Sequence, residues 1–206
     1  GLTLVGILFN PTCFIILLIT VTLGILYSKY SRDKLGYLSL APIIGLFPVG
    51  GYAAFAGEGV FTNPVPWILY VMVMLWQAGH ILVYSPAHGV KLKEKGIKTA
   101  VPAFIIVLSP RMTALLGATF FSALLFLSLC FYFVAPLSLA YLIVALLSGS
   151  VMISLSLKLA VNPTKENSIK AFNAASLYAM ILFMAIASDV FFRFYFLDVL
   201  KILRIL

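Results

Sequence analysis

The sequence predicts an all-α, polytopic transmembrane helix bundle of six full spans plus a partial helix at its start. Three observations predict it. Hydrophobic residues make up 63% of the chain and charged residues 10%, where a soluble domain carries roughly 25% charge. The apolar residues are gathered into runs long enough to cross about 30 Å of hydrocarbon at about 1.5 Å per helical residue. Between the runs lie the prolines and small polar residues that interrupt helices.

Residues 1–9 are apolar from the first position and are stopped by Asn10-Pro11, after only about 13 Å of helix. This run reads as the end of a helix that begins upstream. The expectation is a single domain over 1–206 that lacks its first two to three helices. Six full runs follow at 12–27, 37–56, 67–84, 112–132, 137–157 and 171–192. Asn63-Pro64, Ser85-Pro86, Ser109-Pro110, Ala135-Pro136 and Asn162-Pro163 are read as the breaks between them. Pro42 and Pro48 fall inside the second run and are expected to kink it, which a membrane bundle tolerates where neighbours satisfy the freed carbonyls.

The 14 Lys and Arg against 6 Asp and Glu give a net charge of +8, and their placement explains the excess. Lys29, Arg32 and Lys34 fall in the first loop, Lys91, Lys93, Lys95, Lys98 and Arg111 in the third, and Lys158, Lys165 and Lys170 around the fifth. The second and fourth loops hold none. Basic residues in short loops mark the cytoplasmic side, so the segments 28–36, 85–111 and 158–170 are expected there. The charge therefore orients the chain in a bilayer, and no nucleic-acid partner is expected. A prokaryotic plasma membrane fits such a compact chain. The tail departs from the rule, because Arg193, Lys201 and Arg204 would lie outside. Asp198, Lys201 and Arg204 alternate there with Leu197, Leu200 and Leu203, as in an interfacial amphipathic helix. Cys13 and Cys130 have no second ligand at metal spacing and read as small core residues.

Ionisable groups within the spans are costly and mark function, and here they are few: His80, Asp189 and the boundary residue Lys158. A transporter's relay across the bilayer needs more stations than these. Asp189 has Arg193 four residues on, a spacing that allows a helical pair. The two segments 27–34 and 84–99 bring Lys and Arg together with Tyr27, Tyr30 and Tyr84 at one membrane face. Converging over an apolar cavity, they would form a site for a phosphorylated or diphosphorylated, lipid-like substrate. The alternative is that the lysines only fix topology and touch anionic headgroups.

Several local patterns agree in order and spacing with one family. They are Tyr27-Ser28-Lys29 with Arg32 and Lys34; the Gly-rich stretch from Ala41-Pro42 through Gly50-Gly51 to Ala54; Trp76-Gln77-Ala78-Gly79-His80, then Tyr84-Ser85 and Gly96-Ile97-Lys98-Thr99; and Ala171-Phe172 through Leu177-Tyr178 and Leu182-Phe183 to Asp189. In these the chain resembles the UbiA superfamily of intramembrane prenyltransferases, from about Gly1 to the end of the last span. The tryptophan four residues before His80 and the ending around Tyr178 and Asp189 are most similar to the protoheme farnesyltransferase branch. Gly96-Ile97-Lys98-Thr99 is more similar to the branch that prenylates aromatic acids and quinone precursors, and both branches stay open.

The resemblance implies transfer of an isoprenoid chain from an allylic prenyl diphosphate to a hydrophobic acceptor, such as a quinone precursor, a heme or a lipid, with Mg²⁺ and basic side chains stabilising the leaving diphosphate. Carried over by position, Lys29, Arg32, Lys34 and Lys98 would bind diphosphate, and Tyr27, His80, Tyr84 and His88 would line the cavity. Ile81, His88 and Leu92 stand where many members carry aspartate, which removes hard oxygen ligands for Mg²⁺. The metal ligands are therefore expected on a helix before Gly1 and not in this chain. A catalytically degenerate relative that binds isoprenoid lipid or a membrane partner is the first alternative, and a small-molecule transporter the second.

Overall fold

The computed structural model describes residues 9–31, 36–94 and 108–192. Six α-helices follow in order: α1 Pro11–Leu26, α2 Ala41–Ala56, α3 Pro64–Glu94, α4 Pro110–Val134, α5 Leu139–Val161 and α6 Lys165–Phe191. Each forms part of a helical segment long and apolar enough to cross a membrane, so the polytopic helix bundle holds. No strand occurs among the described residues. The helix expected within residues 1–9 and the amphipathic tail after Phe192 lie outside or almost wholly outside the described residues.

The polar-proline pairs act as helix starts more than as gaps. The side chains of Asn10, Ser109, Ser138 and Thr164 each accept a hydrogen bond from the backbone N–H three residues on, and Pro11 and Pro110 occupy the first turn. A capped start with proline there costs no hydrogen bond, because the first four N–H groups have no partner inside the helix. Asn10 also reaches a second helix. Its Nδ2 donates to the carbonyls of Ala53 at 2.7 Å and Ala54 at 3.0 Å, pinning the start of α1 to the end of α2. Gly57, at φ 56°, ends α2 in a conformation that suits glycine.

Three sequence expectations change. Ser85-Pro86 does not end a helix, because α3 runs through it to Glu94. Pro42 does not kink the second span but lies in the first turn of α2, leaving Pro48 as the interior proline. The first basic loop begins as helix, since α1 continues into a π-helical turn over Tyr27–Ser31. A 3₁₀ turn, Gly36–Leu40, then leads into α2.

Helices α3, α4, α5 and α6 pack each on the next, and α6 returns to α3, so these four form a closed group. On its flank α2 packs against α3, and α1 against α2. Phe121, Leu124, Phe131, Tyr141, Met152, Leu159 and Tyr178 fill the interior of the closed group. Its hydroxyls are paired. Ser128 Oγ donates to Leu124 O at 2.8 Å and so accepts from Tyr178 OH, also at 2.8 Å, while Tyr141 OH donates to Ser128 O at 3.0 Å. Three helices are thereby tied where no water is present to satisfy them. Large apolar side chains such as Phe55 and Phe133 project outward, as lipid contact requires.

Close approach of α3 and α4 depends on glycine. A Cβ on Gly79 would lie 2.5 Å from the Phe121 ring, and one on Gly117 2.8 Å from Val83 Cγ1. Gly79→Ala is expected to lower stability by about 1–3 kcal/mol through overpacking, read as a lower Tm in detergent. Gly24→Ala is the control: nothing lies within 4 Å of its Cβ position, so Tm should hold or rise, as alanine favours helix over glycine.

At the other end of the bundle the Asp189 carboxylate accepts from Ser138 N at 2.8 Å and from Ser138 Oγ at 2.7 Å. It joins the end of α6 to the start of α5, where a carboxylate also suits the positive end of the helix dipole. The partner expected for it, Arg193, lies outside the described residues.

Candidate functional site

Alternating helix directions bring one set of termini together: the end of α1, the start of α2, the later half of α3, the start of α4, the end of α5 and the start of α6. The contacts that fix this are specific. Ser168 in the first turns of α6 donates to Val83 O of α3 at 2.6 Å, and Gly117 near the start of α4 faces the same Val83. Lys29, Arg111, Lys158, Lys165 and Lys170 therefore belong to one end of the bundle.

Lys29 sits on the π-helical turn, exposed, with Nζ 5.3 Å from the centroid of the Tyr30 ring. Tyr27 opens the same turn, half-buried. Single π turns recur at functional sites because they re-aim side chains that a regular helix would stagger differently. Arg32, Lys34 and Lys98 lie outside the described residues. Lys170 is ion-paired with Glu166 one turn earlier on α6.

On α3, Trp76, His80 and Tyr84 recur at i, i+4 and i+8 and so share one stripe. That stripe meets α6. The His80 ring lies 5.0 Å from Trp76 and 3.8 Å from Phe172, centroid to centroid, and Tyr84 lies 5.0 Å from Phe172. Trp76 Nε1 donates to Ala175 O at 2.8 Å, fixing the register of the two helices. His80 Nδ1 is buried and has no hydrogen-bond partner among the described residues. A buried polar atom left unpaired is costly. His88 follows at the next i+4 position on the helical backbone, though its side chain is not among those described. Phe172 and Ser168 are not legible as site residues in the sequence, because what they touch lies on another helix. Half-buried Gln77 sits one residue after Trp76, and nothing in its local spacing marks it.

Among the described residues the interior of the closed four-helix group is largely filled by the aromatic and aliphatic side chains named above. A small apolar recess lies one turn deeper than His80, lined by Met72, Trp76, Leu124, Tyr178, Leu182 and Phe183 among others.

The described side chains do not form a Mg²⁺ site. Among the described residues no group of three His, Cys, Asp or Glu could hold a metal ion. Glu166 is engaged by Lys170 and Asp189 by Ser138, and Glu58 lies at the opposite end of the bundle, in the turn between α2 and α3. Ile81 is 7% exposed and packs inward.

The sequence profile of the UbiA prenyltransferase family matches residues 1–188. The chain belongs to the UbiA prenyltransferase family. Among curated members it is similar to the protoheme IX farnesyltransferase of Metallosphaera sedula, 29% identical over 188 residues, which cover 89% of this chain and 62% of that protein. It is also similar to protoheme IX farnesyltransferase 1 of Cenarchaeum symbiosum, 28% identical over 193 residues, covering 90% and 61%. A third, the protoheme IX farnesyltransferase of Thermus thermophilus, is 25% identical over 167 residues, covering 80% and 26%. No solved structure matches the chain significantly. This UbiA-family chain thus spans about three fifths of the length of the first two relatives.

Proposed function

We propose that the chain supplies the later helices of a membrane prenyltransferase that moves an isoprenoid chain from an allylic diphosphate to a hydrophobic acceptor, with protoheme the favoured acceptor. The observation that carries this is the α3–α6 seam, where Trp76, His80, Tyr84 and Phe172 meet at the basic end of the bundle. Family membership supports the transfer chemistry, and the names of the relatives favour protoheme over aromatic acids and quinone precursors.

In this reading the diphosphate lies among Lys29, Arg32, Lys34 and Lys98, where charge-assisted hydrogen bonds take up the negative charge that grows on the leaving oxygen. The allylic C–O bond breaks and its electron pair leaves with the diphosphate. A nucleophilic carbon of the acceptor then forms the new bond to the allylic carbon, and the acceptor cation so formed is discharged by losing a proton or by adding water with release of a proton. The chain's apolar tail lies along the seam, between Tyr27 and Tyr84 at its mouth and the recess beside Trp76, with His80 and His88 along the stripe. The four-helix group excludes water from one side. Mg²⁺, implied by the family resemblance, would be held by residues other than the described ones. The basic end faces the cytoplasm of a prokaryotic cell, where soluble diphosphates are made.

The test uses the full natural protein in membranes with a radiolabelled allylic diphosphate and either protoheme or an aromatic acid. Label should pass to protoheme; passage to the aromatic acid alone would move the chain to the other branch. Consumption of no allylic diphosphate across a panel of acceptors would leave the isoprenoid-binding, non-catalytic reading, which Ile81, His88 and Leu92 motivate. His80→Phe separates packing from function: the ring stack survives and an unpaired buried nitrogen is removed. Tm should hold or rise while transfer falls about 10-fold or more.

A further inference from the structure

We infer that Ser168 is a positioning residue, which aims the last turns of α3 over the site by gripping the helix immediately before Pro86. This rests on the proposed prenyl-transfer reading for its substrate but not for its geometry. Ser168 is 0% exposed. Its hydroxyl donates to Val83 O at 2.6 Å, with Tyr84 O at 3.3 Å. These two carbonyls belong to the turn that leads into Pro86, which has no N–H to give the carbonyl of Leu82 four residues earlier. Helices persist through proline in a membrane when a neighbouring side chain satisfies and steadies the backbone around the gap. Ser168 does not reach the freed Leu82 carbonyl but holds the two that follow it, Val83 O and Tyr84 O, and so steadies the backbone beside the gap, while α3 continues to Glu94.

The first turn of α6 is itself held firmly. Thr164 accepts from Asn167 N at 3.2 Å, and Asn167 Nδ2 donates to Asn162 O at 2.8 Å, tying the start of α6 to the turn from α5. A hydroxyl fixed to that turn transmits the position of α5 and α6 to the arm of α3 over 85–94. The arm carries His88, Lys91 and Lys93 in sequence, and it starts one residue after Tyr84 of the aromatic stripe. Ser168 touches no candidate substrate position, so it acts through where the arm is held.

The experiment is a double-substitution cycle, Ser168→Ala with Pro86→Ala, in the full natural protein in membranes. Ser168→Ala should raise KM for the allylic diphosphate about 10-fold with kcat changed less than about twofold. Amides over 87–94 should exchange hydrogen about 10-fold faster. In the Pro86→Ala background, where residue 86 regains its N–H and the helix no longer needs a lateral grip, both increments should shrink below about twofold. Equal increments in the two backgrounds would overturn the inference, as would an effect on yield and Tm with KM and exchange over 87–94 unchanged. If the parent protein consumes no allylic diphosphate, the catalytic reading fails alone, and the exchange cycle still decides the grip.

Discussion

Replacing Lys29 and Lys98 together by alanine is expected to lower kcat/KM for an allylic diphosphate by about 10³-fold. Losing one preorganised donor to a developing anion costs about 10²–10³ in rate, and a diphosphate leaving group carries charge enough to engage both ammonium groups. Lys29 is exposed on its π-helical turn and its described contact is with its neighbour Tyr30, so the fold does not depend on it. Tm in detergent should therefore stay unchanged, and the loss should appear as failed transfer by folded protein. Arginine at both positions should restore part of the rate, since charge is kept while the shape of the donor changes. If the lysines only orient the chain and touch lipid headgroups, the double variant will transfer at the parent rate once inserted.

Trp76→Ala should cost about 2–3 kcal/mol of stability, below the range of about 3–5 kcal/mol for emptying a fully buried aromatic site, because Trp76 is partly buried. Three contacts are lost with this one side chain. It donates to Ala175 O on α6, stacks beside His80 and forms one wall of the apolar recess. Trp76→Phe keeps most of the ring and loses the donor, and should cost about 1 kcal/mol. The gap between the two variants, measured by thermal unfolding in one detergent, reads how far the α3–α6 seam rests on packing. Activity should be lost with Trp76→Ala at temperatures where the protein is still folded, because the seam that places His80 against Phe172 has been opened.

Much of the architecture is legible in hydropathy, because a membrane helix must satisfy its whole backbone within itself and so announces its length in apolar residues. The run at 112–132 corresponds to Pro110–Val134, and 137–157 to Leu139–Val161. Polar starts are harder to see. The run beginning at 171 belongs to a helix that starts at Lys165, because Thr164 caps it and Glu166 and Lys170 pair across one exposed turn. These residues look like loop to a hydropathy reading. Ser85-Pro86 looks like a break because the hydroxyl that donates to Val83 O and Tyr84 O just before it comes from Ser168, on another helix. Of the site, the stripe Trp76, His80 and Tyr84 lies open in its spacing of four. Phe172 does not, since its partnership with His80 exists only once α6 folds back on α3. The filled interior of the four-helix group is likewise invisible, because an apolar run does not say whether it faces lipid, a neighbour or a substrate.

Photo-crosslinking decides whether an allylic diphosphate lies at the basic end with its tail along the α3–α6 seam. A diazirine-bearing isoprenoid diphosphate is irradiated with the full natural protein in membranes, and labelled peptides are mapped by mass spectrometry. Label is expected over residues 73–84 of α3 and 172–183 of α6, competed away by unlabelled allylic diphosphate. Label confined to the lipid-facing sides of α1 and α5, undiminished by competitor, would refute that placement.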